Sequence, residues 1–238
     1  MSTTTVQSPT SFIKRPLRLG DEVYNTIYAQ LMTQKILPGA KISMGNLALE
    51  LGVSQTPIRE ALSRLEVQGL VLKDRVRGYS AARQMDRERF DHLCELRLLL
   101  EPVTARKAAL RLTQAQLAEL KAMAEEMGNK AGQGGTGYGE FAQLDLQFHN
   151  FIARAGGNPL IAETLANLHT HMHLFRLFHH LQATTESNKE HAILIEALEA
   201  RDPDRAEENM RTHVQRSFAR FSHLFPESKA APPQLPAT

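Results

Sequence analysis

The stretch Leu51-Gly-Val-Ser-Gln-Thr-Pro-Ile-Arg-Glu-Ala-Leu-Ser-Arg-Leu-Glu66 leaves this chain few ways to fold. Gly52 closes a short apolar run, Leu47, Ala48 and Leu51, and Ser54 offers a hydroxyl to the unpaired amides of a helix that begins just after it. The pattern reads as helix, tight turn, helix. In the second helix Ile58, Leu62 and Leu65 recur at spacings of four and three and form the packed face, so Gln55, Thr56, Arg59 and Ser63 point away. Short polar and basic side chains at a helix N-terminus suit the major groove of DNA, where amides meet phosphates and Arg or Gln pairs with base edges. Gly69 stops this helix, and Val71 to Ala82 reads as a small hairpin with Arg75 and Arg77 near its tip, a wing beside the reading helix. A plain solvated helical hairpin is the alternative.

Several spaced elements favour the first reading. Gly52-Val-Ser54, Thr56-Pro-Ile-Arg-Glu-Ala-Leu62, Leu65-Glu-Val-Gln-Gly-Leu-Val71 and Arg77-Gly78 resemble, in order, the winged helix-turn-helix of the GntR family of bacterial transcription regulators. The resemblance covers Asp21 to Arg83. Pattern and resemblance together nominate Ser54, Gln55, Thr56, Arg59, Arg75, Arg77 and Gly78 as the residues that meet a double-stranded operator. The chain departs from the family at Gln55 and Gly45, where basic residues are common, and this bears on base preference rather than on DNA binding.

Charge is distributed accordingly. Residues 1–85 hold 11 Lys and Arg against 6 Asp and Glu, or +5, and residues 86–238 hold 17 against 20, or −3; together these give the net +2. The basic part is the phosphate partner. A chain of 238 residues is expected to form two domains. The single cysteine, Cys94, sits in an apolar helical pattern, excludes an internal disulfide and fits a reducing cytoplasm. No apolar run has membrane-spanning length and no signal core is apparent, so a cytoplasmic location and no membrane partner are expected.

The expected layout is a flexible arm (1–18), a winged helix-turn-helix (19–83), an antiparallel all-α bundle (84–225) and a disordered tail (226–238), mainly α overall. Val23, Ile27, Leu31 and Ile36 predict a first helix ended by Pro38-Gly39. Beyond the wing, Asp86 to Leu112 is predicted helical, and Thr113-Gln-Ala-Gln116 is a capping box for the next helix. Gly132 to Gly139 is predicted as a loop without a phosphate-cradling motif. Helices are then expected over 140–155, from Asn158-Pro159 to about Gln182, from a capping box at Ser187-Asn-Lys-Glu190, and from Asp202-Pro203.

Ten histidines are present. His169 and His173 form an i, i+4 pair with no carboxylate near in sequence, a weak metal motif. Asp145 and His149 share one helical face beside an inward stripe of Leu144, Phe148 and Ile152. His191 and His213 lie on successive antiparallel helices, so three imidazoles and one carboxylate could converge, a set suited to zinc, nickel, manganese or iron with positions left open. Spacing alone favours four separately satisfied polar residues over a shared site. Glu95-Leu-Arg-x-x-x-Glu101, Asp145-x-x-Phe-His149, Gly157-Asn-Pro159, Glu190-His191 and His213 resemble the FCD ligand-binding domain of the FadR branch of GntR regulators, a VanR-like domain of about six helices. That resemblance implies that Asp145, His149, His191 and His213 are metal ligands. Arg97, on the inward first helix, either pairs internally with Glu101 or, as the resemblance implies, clamps a small carboxylate effector; Arg176 is a second candidate of this kind.

The expectation is therefore a homodimeric, effector-responsive regulator, a repressor of a palindromic operator. Two rivals are a regulator for which the ion itself is the signal, and a metal-dependent hydrolytic enzyme.

Overall fold

The computed structural model describes residues 19–134, 136–177, 181–223 and 225. The expected arm at 1–18 and tail at 226–238 lie outside the described residues, as do His179 and His180. The N-terminal elements are α1 (Leu19–Met32), β1 (Lys41–Ile42), α2 (Met44–Leu51), α3 (Gln55–Val67), β2 (Val71–Asp74) and β3 (Gly78–Ala81). The helical part follows as α4 (Arg87–Arg111), α5 (Gln114–Lys130), α6 (Thr136–Ala155), α7 (Pro159–Leu168), α8 (Thr170–Leu177), α9 (Leu181–Glu199) and α10 (Pro203–Ser222). None of the described helices is long and apolar enough to cross a membrane.

Gly52 caps α2 at φ 65°, a left-handed conformation that glycine adopts without strain, and turns the chain into α3. Ile58, Leu62 and Leu65 are fully buried against α1, each contributing about 1.5–3 kcal/mol by leaving water. Ser54 stands at the N-cap of α3 but its side chain makes no capping bond, so its hydroxyl remains available outside the helix. In the wing, Asp74 Oδ1 accepts from the amides of Val76 and Arg77 at 2.8 and 2.7 Å and shapes the turn between β2 and β3. The short strand β1, which has too few residues to show alternation, completes an antiparallel sheet of order β1-β3-β2. α1 ends at Met32, before Ile36, because Gln34 takes a left-handed φ of 57°.

α4 to α10 pack as a bundle in which α10 lies along α4 and α9. Asp86, Thr113, Asn158 and Asp202 cap their helices through their side chains, and Thr113 with Gln116 forms the expected reciprocal box. Three expectations change. α6 begins at Thr136, so Gly137 and Gly139 lie inside a helix; a Cβ at Gly139 would sit 3.1 Å from Tyr28 Cε1, and its absence lets α1 approach. The helix expected from Pro159 to Gln182 breaks at His169, which takes a left-handed φ of 45°, so among the described residues the domain has seven helices rather than about six. Ser187-Asn-Lys-Glu190 does not open a helix, because α9 already runs from Leu181 and both side chains turn to Arg220 of α10.

One continuous buried cluster joins the two parts, running from Ile27 and Leu31 through Phe141 to Phe175. Around it, the carbonyl of Arg176 accepts from Gln34 Nε2 at 3.2 Å and Gln84 Nε2 at 3.3 Å, and the Arg176 guanidinium donates to the Ala82 carbonyl. His173 lies against Gly69 at the end of α3.

Candidate metal centre and nucleic-acid interface

α6 brings Asp145 and His149 inward one turn apart, α9 brings His191, and α10 brings His213. All four are buried, none more than 5% exposed. One ligand atom from each of His149, His191 and His213 lies within 4.8 Å of the others, and His191 Nε2 is 3.4 Å from Asp145 Oδ1. Nitrogens bound tetrahedrally to one ion at the usual length stand ~3.3 Å apart, so small side-chain movements would close the set. Phe148 packs its ring on His191 at 4.5 Å between centroids and walls the group from α6.

Two further carboxylates orient the imidazoles. His149 Nδ1 is 2.7 Å from Glu101 Oε2, and His213 Nδ1 is 2.8 Å from Glu190 Oε2. Each carboxylate is held by an arginine. Glu101 takes Nε and Nη2 of Arg97, and Glu190 takes both terminal nitrogens of Arg220, which also reaches Ser187 Oγ at 3.1 Å. Burial alone would raise the Glu101 carboxyl, but Arg97 and then His149 bring it well below its ordinary value. Glu190 is likewise lowered, burial being outweighed by its bonds to His213 and Arg220. Ionised carboxylates only accept, so the Nδ1 atoms of His149 and His213 carry the protons and their Nε2 lone pairs face away. Burial lowers the His213 imidazole, against the bond to Glu190, and so favours its neutral, ligating form. Paired carboxylate and imidazole of this kind are the usual outer support of a metal-binding histidine. The donor set thus fits a borderline divalent ion.

Sequence reasoning named the four inner residues and Arg97, and the structure brings them together. It named Glu101 as a partner for Arg97 and Glu190 as part of a helix cap, and the FCD resemblance includes both, but their contacts with His149 and His213 were not anticipated; Arg220 was missed, and only the α10 register relative to α9 reveals it. Arg176 lies at the domain junction, where its guanidinium donates to the Ala82 carbonyl. The His169 and His173 pair also belongs to that junction, where His169 meets the Val67 backbone. Among the described residues, His149, His191 and His213 are the group that could hold an ion.

At the other end, Ser54, Gln55, Thr56, Arg59 and Ser63 line the exposed side of α3, and Arg75, Arg77 and Gly78 are exposed on the wing. Arg64, on the same helix, is committed internally, 2.7 Å from Asp21 and 4.0 Å above the Tyr24 ring. A groove beside the wing is lined by Lys41, Lys73, Arg77 and Arg83. Lys41, Lys73 and Arg83 were not singled out from sequence because they are scattered, and the pairing of both β1 and β2 with β3 gathers them.

Comparison with known proteins identifies both parts of the chain. Residues 92–216 match the FCD domain, and residues 19–79 match the bacterial regulatory proteins of the gntR family. The "Nta operon transcriptional regulator" of Aminobacter aminovorans is 29% identical over 181 residues, 76% of this chain and 84% of that protein. The "HTH-type transcriptional repressor RspR" of Escherichia coli K12 is 24% identical, covering 83% and 86% of the two chains. The solved structure of E. coli McbR/YncC superposes with a TM-score of 0.64 at 23% identity, over 87% of this chain and 99% of that one, which shows the shared fold.

Proposed function

The chain belongs to the FCD-domain regulators of the bacterial gntR family, which are DNA-binding transcription regulators and not enzymes, and from that premise we propose that it is a dimeric cytoplasmic repressor whose helical domain holds a divalent ion and senses a small organic acid. A two-fold dimer places one α3 on each of two successive major grooves, and the operator is then a short palindrome. Ser54, Gln55, Thr56 and Arg59 read base edges and nearby phosphates, while Arg75, Arg77, the Gly78 backbone and the groove lysines hold the flanking backbone. Repression is the sense carried in the name of the E. coli K12 relative.

The observation that carries the effector reading is Arg97. It is fully buried, two of its nitrogens serve Glu101, and its Nη1 makes no hydrogen bond among the described residues. A buried donor left in this way costs about 1–3 kcal/mol, and a ligand carboxylate would satisfy it with a charge-assisted bond. The same Glu101 oxygen that accepts from Arg97 Nη2 lies 2.7 Å from His149 Nδ1, so one carboxylate separates the guanidinium from the proposed ligand set. Asp145, His149, His191 and His213 would hold the ion, which when bound supplies positive charge to the acid's oxygens. Glu101 ties the two halves of the site together, since it orients both Arg97 and His149. A regulator responding to the ion alone would leave Arg97 Nη1 without a role.

Native mass spectrometry and elemental analysis of the purified protein test this. We expect one divalent ion per chain in the wild type, its loss in His191→Ala/His213→Ala, and a carboxylic acid released by the wild type but not by Arg97→Met. Ion retained by the double histidine variant, or the same acid carried by Arg97→Met, overturns the assignment.

A further inference from the structure

The candidate metal centre and the reading helix have a common neighbour in α1. Tyr24 and Tyr28, one turn apart, stack with ring centroids 6.0 Å apart and planes 16° from parallel. Tyr24 faces α3: its hydroxyl donates to Gln68 Oε1 at 2.8 Å and the Arg64 guanidinium covers its ring. Tyr28 faces α6. It is 2% exposed, lies against Gly139, and its hydroxyl has no hydrogen-bond partner among the described residues. Burial chiefly raises the Tyr28 phenol, with Tyr24, Tyr138 and then Asp145 adding to the effect. A buried hydroxyl without a partner in a packed interface calls for an explanation.

We propose that the Tyr24–Tyr28 stack is the connection through which occupancy of the Asp145 and histidine site sets the position of α3. Tyr28 is in this sense a positioning residue: it touches neither ion nor DNA and acts through its neighbours. The inference rests on the metal-site reading above. An ion held by Asp145 and His149 would pin α6 from two points one turn apart. α1 meets α6 at Gly139, where no side chain intervenes, so a shift of α6 is passed to the Tyr28 ring and not absorbed by a flexible contact. The stacked Tyr24 then moves with Arg64 and Gln68, which lie at the C-terminal end of α3. The unpartnered Tyr28 hydroxyl adds a bias, because it disfavours the present packing relative to any arrangement that gives the hydroxyl a partner.

The test is hydrogen–deuterium exchange of the full chain with and without zinc, alongside zinc stoichiometry, for the wild type, Tyr28→Leu and Gly139→Ala. Zinc is expected to slow exchange of the α3 amides in the wild type by about fivefold or more. Both variants should bind one zinc per chain, since no ligand changes, but their α3 response should be roughly halved or less. Gly139→Ala alters the contact from the other side with a single methyl group, and it carries the test should Tyr28→Leu fail to fold. A wild type that binds no zinc overturns the metal-site reading and this inference with it. A wild type that binds zinc with no change in α3, or variants that bind zinc and respond fully, overturn the tyrosine connection and leave the site intact.

Discussion

Replacing Glu101 with Gln should be among the most damaging near-isosteric changes in the helical part. The side chain is 4% exposed, takes Arg97 through two nitrogens, and accepts from His149 Nδ1 at 2.7 Å. Gln keeps the shape but removes the counter-charge of a buried guanidinium, and breaking one side of a buried ion pair costs about 3–5 kcal/mol. For a chain of this size each kcal/mol moves the melting temperature by about 2–4 °C, so the expected fall is roughly 6–20 °C. Differential scanning calorimetry in the presence of a chelator measures this apart from any contribution of a bound ion. Arg97→Met/Glu101→Leu supplies the control. It removes both charges and leaves mainly the His149 Nδ1–H without an acceptor, about 1–3 kcal/mol, so the double variant should melt above the single one. A fall of less than about 2 °C for Glu101→Gln, or a double variant less stable than the single, would refute the claim that Arg97 depends on this carboxylate.

Arg59→Ala should weaken operator binding by about 1–3 kcal/mol, roughly 5- to 150-fold, while zinc stoichiometry stays unchanged; fluorescence anisotropy with operator DNA reads the first and elemental analysis the second. Stability should fall with acid in two stages, followed by urea titration of the chelated protein at stepped pH. His213 is depressed below 6.5 when folded, so the unfolded chain takes its proton first and stability declines as pH drops below about 6.5. Glu101 is depressed well below 4.5, so its contribution is fully present above that value and is lost as pH falls beneath it. A flat profile between pH 7 and 5 would contradict the burial of a neutral His213.

The sequence made α3 and its polar side plain because a local repeat of apolar residues decides which face is packed, and Gln55, Thr56 and Arg59 are exposed as that repeat requires. Capping patterns were less decisive. Thr113 and Ser187 carry the same kind of signature, yet only Thr113 starts a helix. What separates them is tertiary: Arg220 lies opposite Ser187 and Glu190, and a long-range guanidinium outcompetes a local cap. The start of α6 was hidden for a related reason, since Gly137 and Gly139 look like loop, and only the close approach of α1 at Gly139 gives a glycine inside the helix a packing role. For the histidines, spacing left two readings open and resemblance chose between them. That Glu101 and Glu190 stand behind His149 and His213 could not be read from spacing, because the partners are far apart in sequence, Glu101 and His149 by 48 residues.

The doubled arginine–glutamate support has a consequence for what the proposed site would accept. Arg97 cancels Glu101 and Arg220 cancels Glu190, so the outer wall is electrically balanced and Asp145 contributes the one remaining formal charge of the set. A doubly charged cation placed among the histidines would then leave a single positive excess. A guest carrying one negative charge restores neutrality in a space with little water to screen any surplus, whereas a dianion would overshoot.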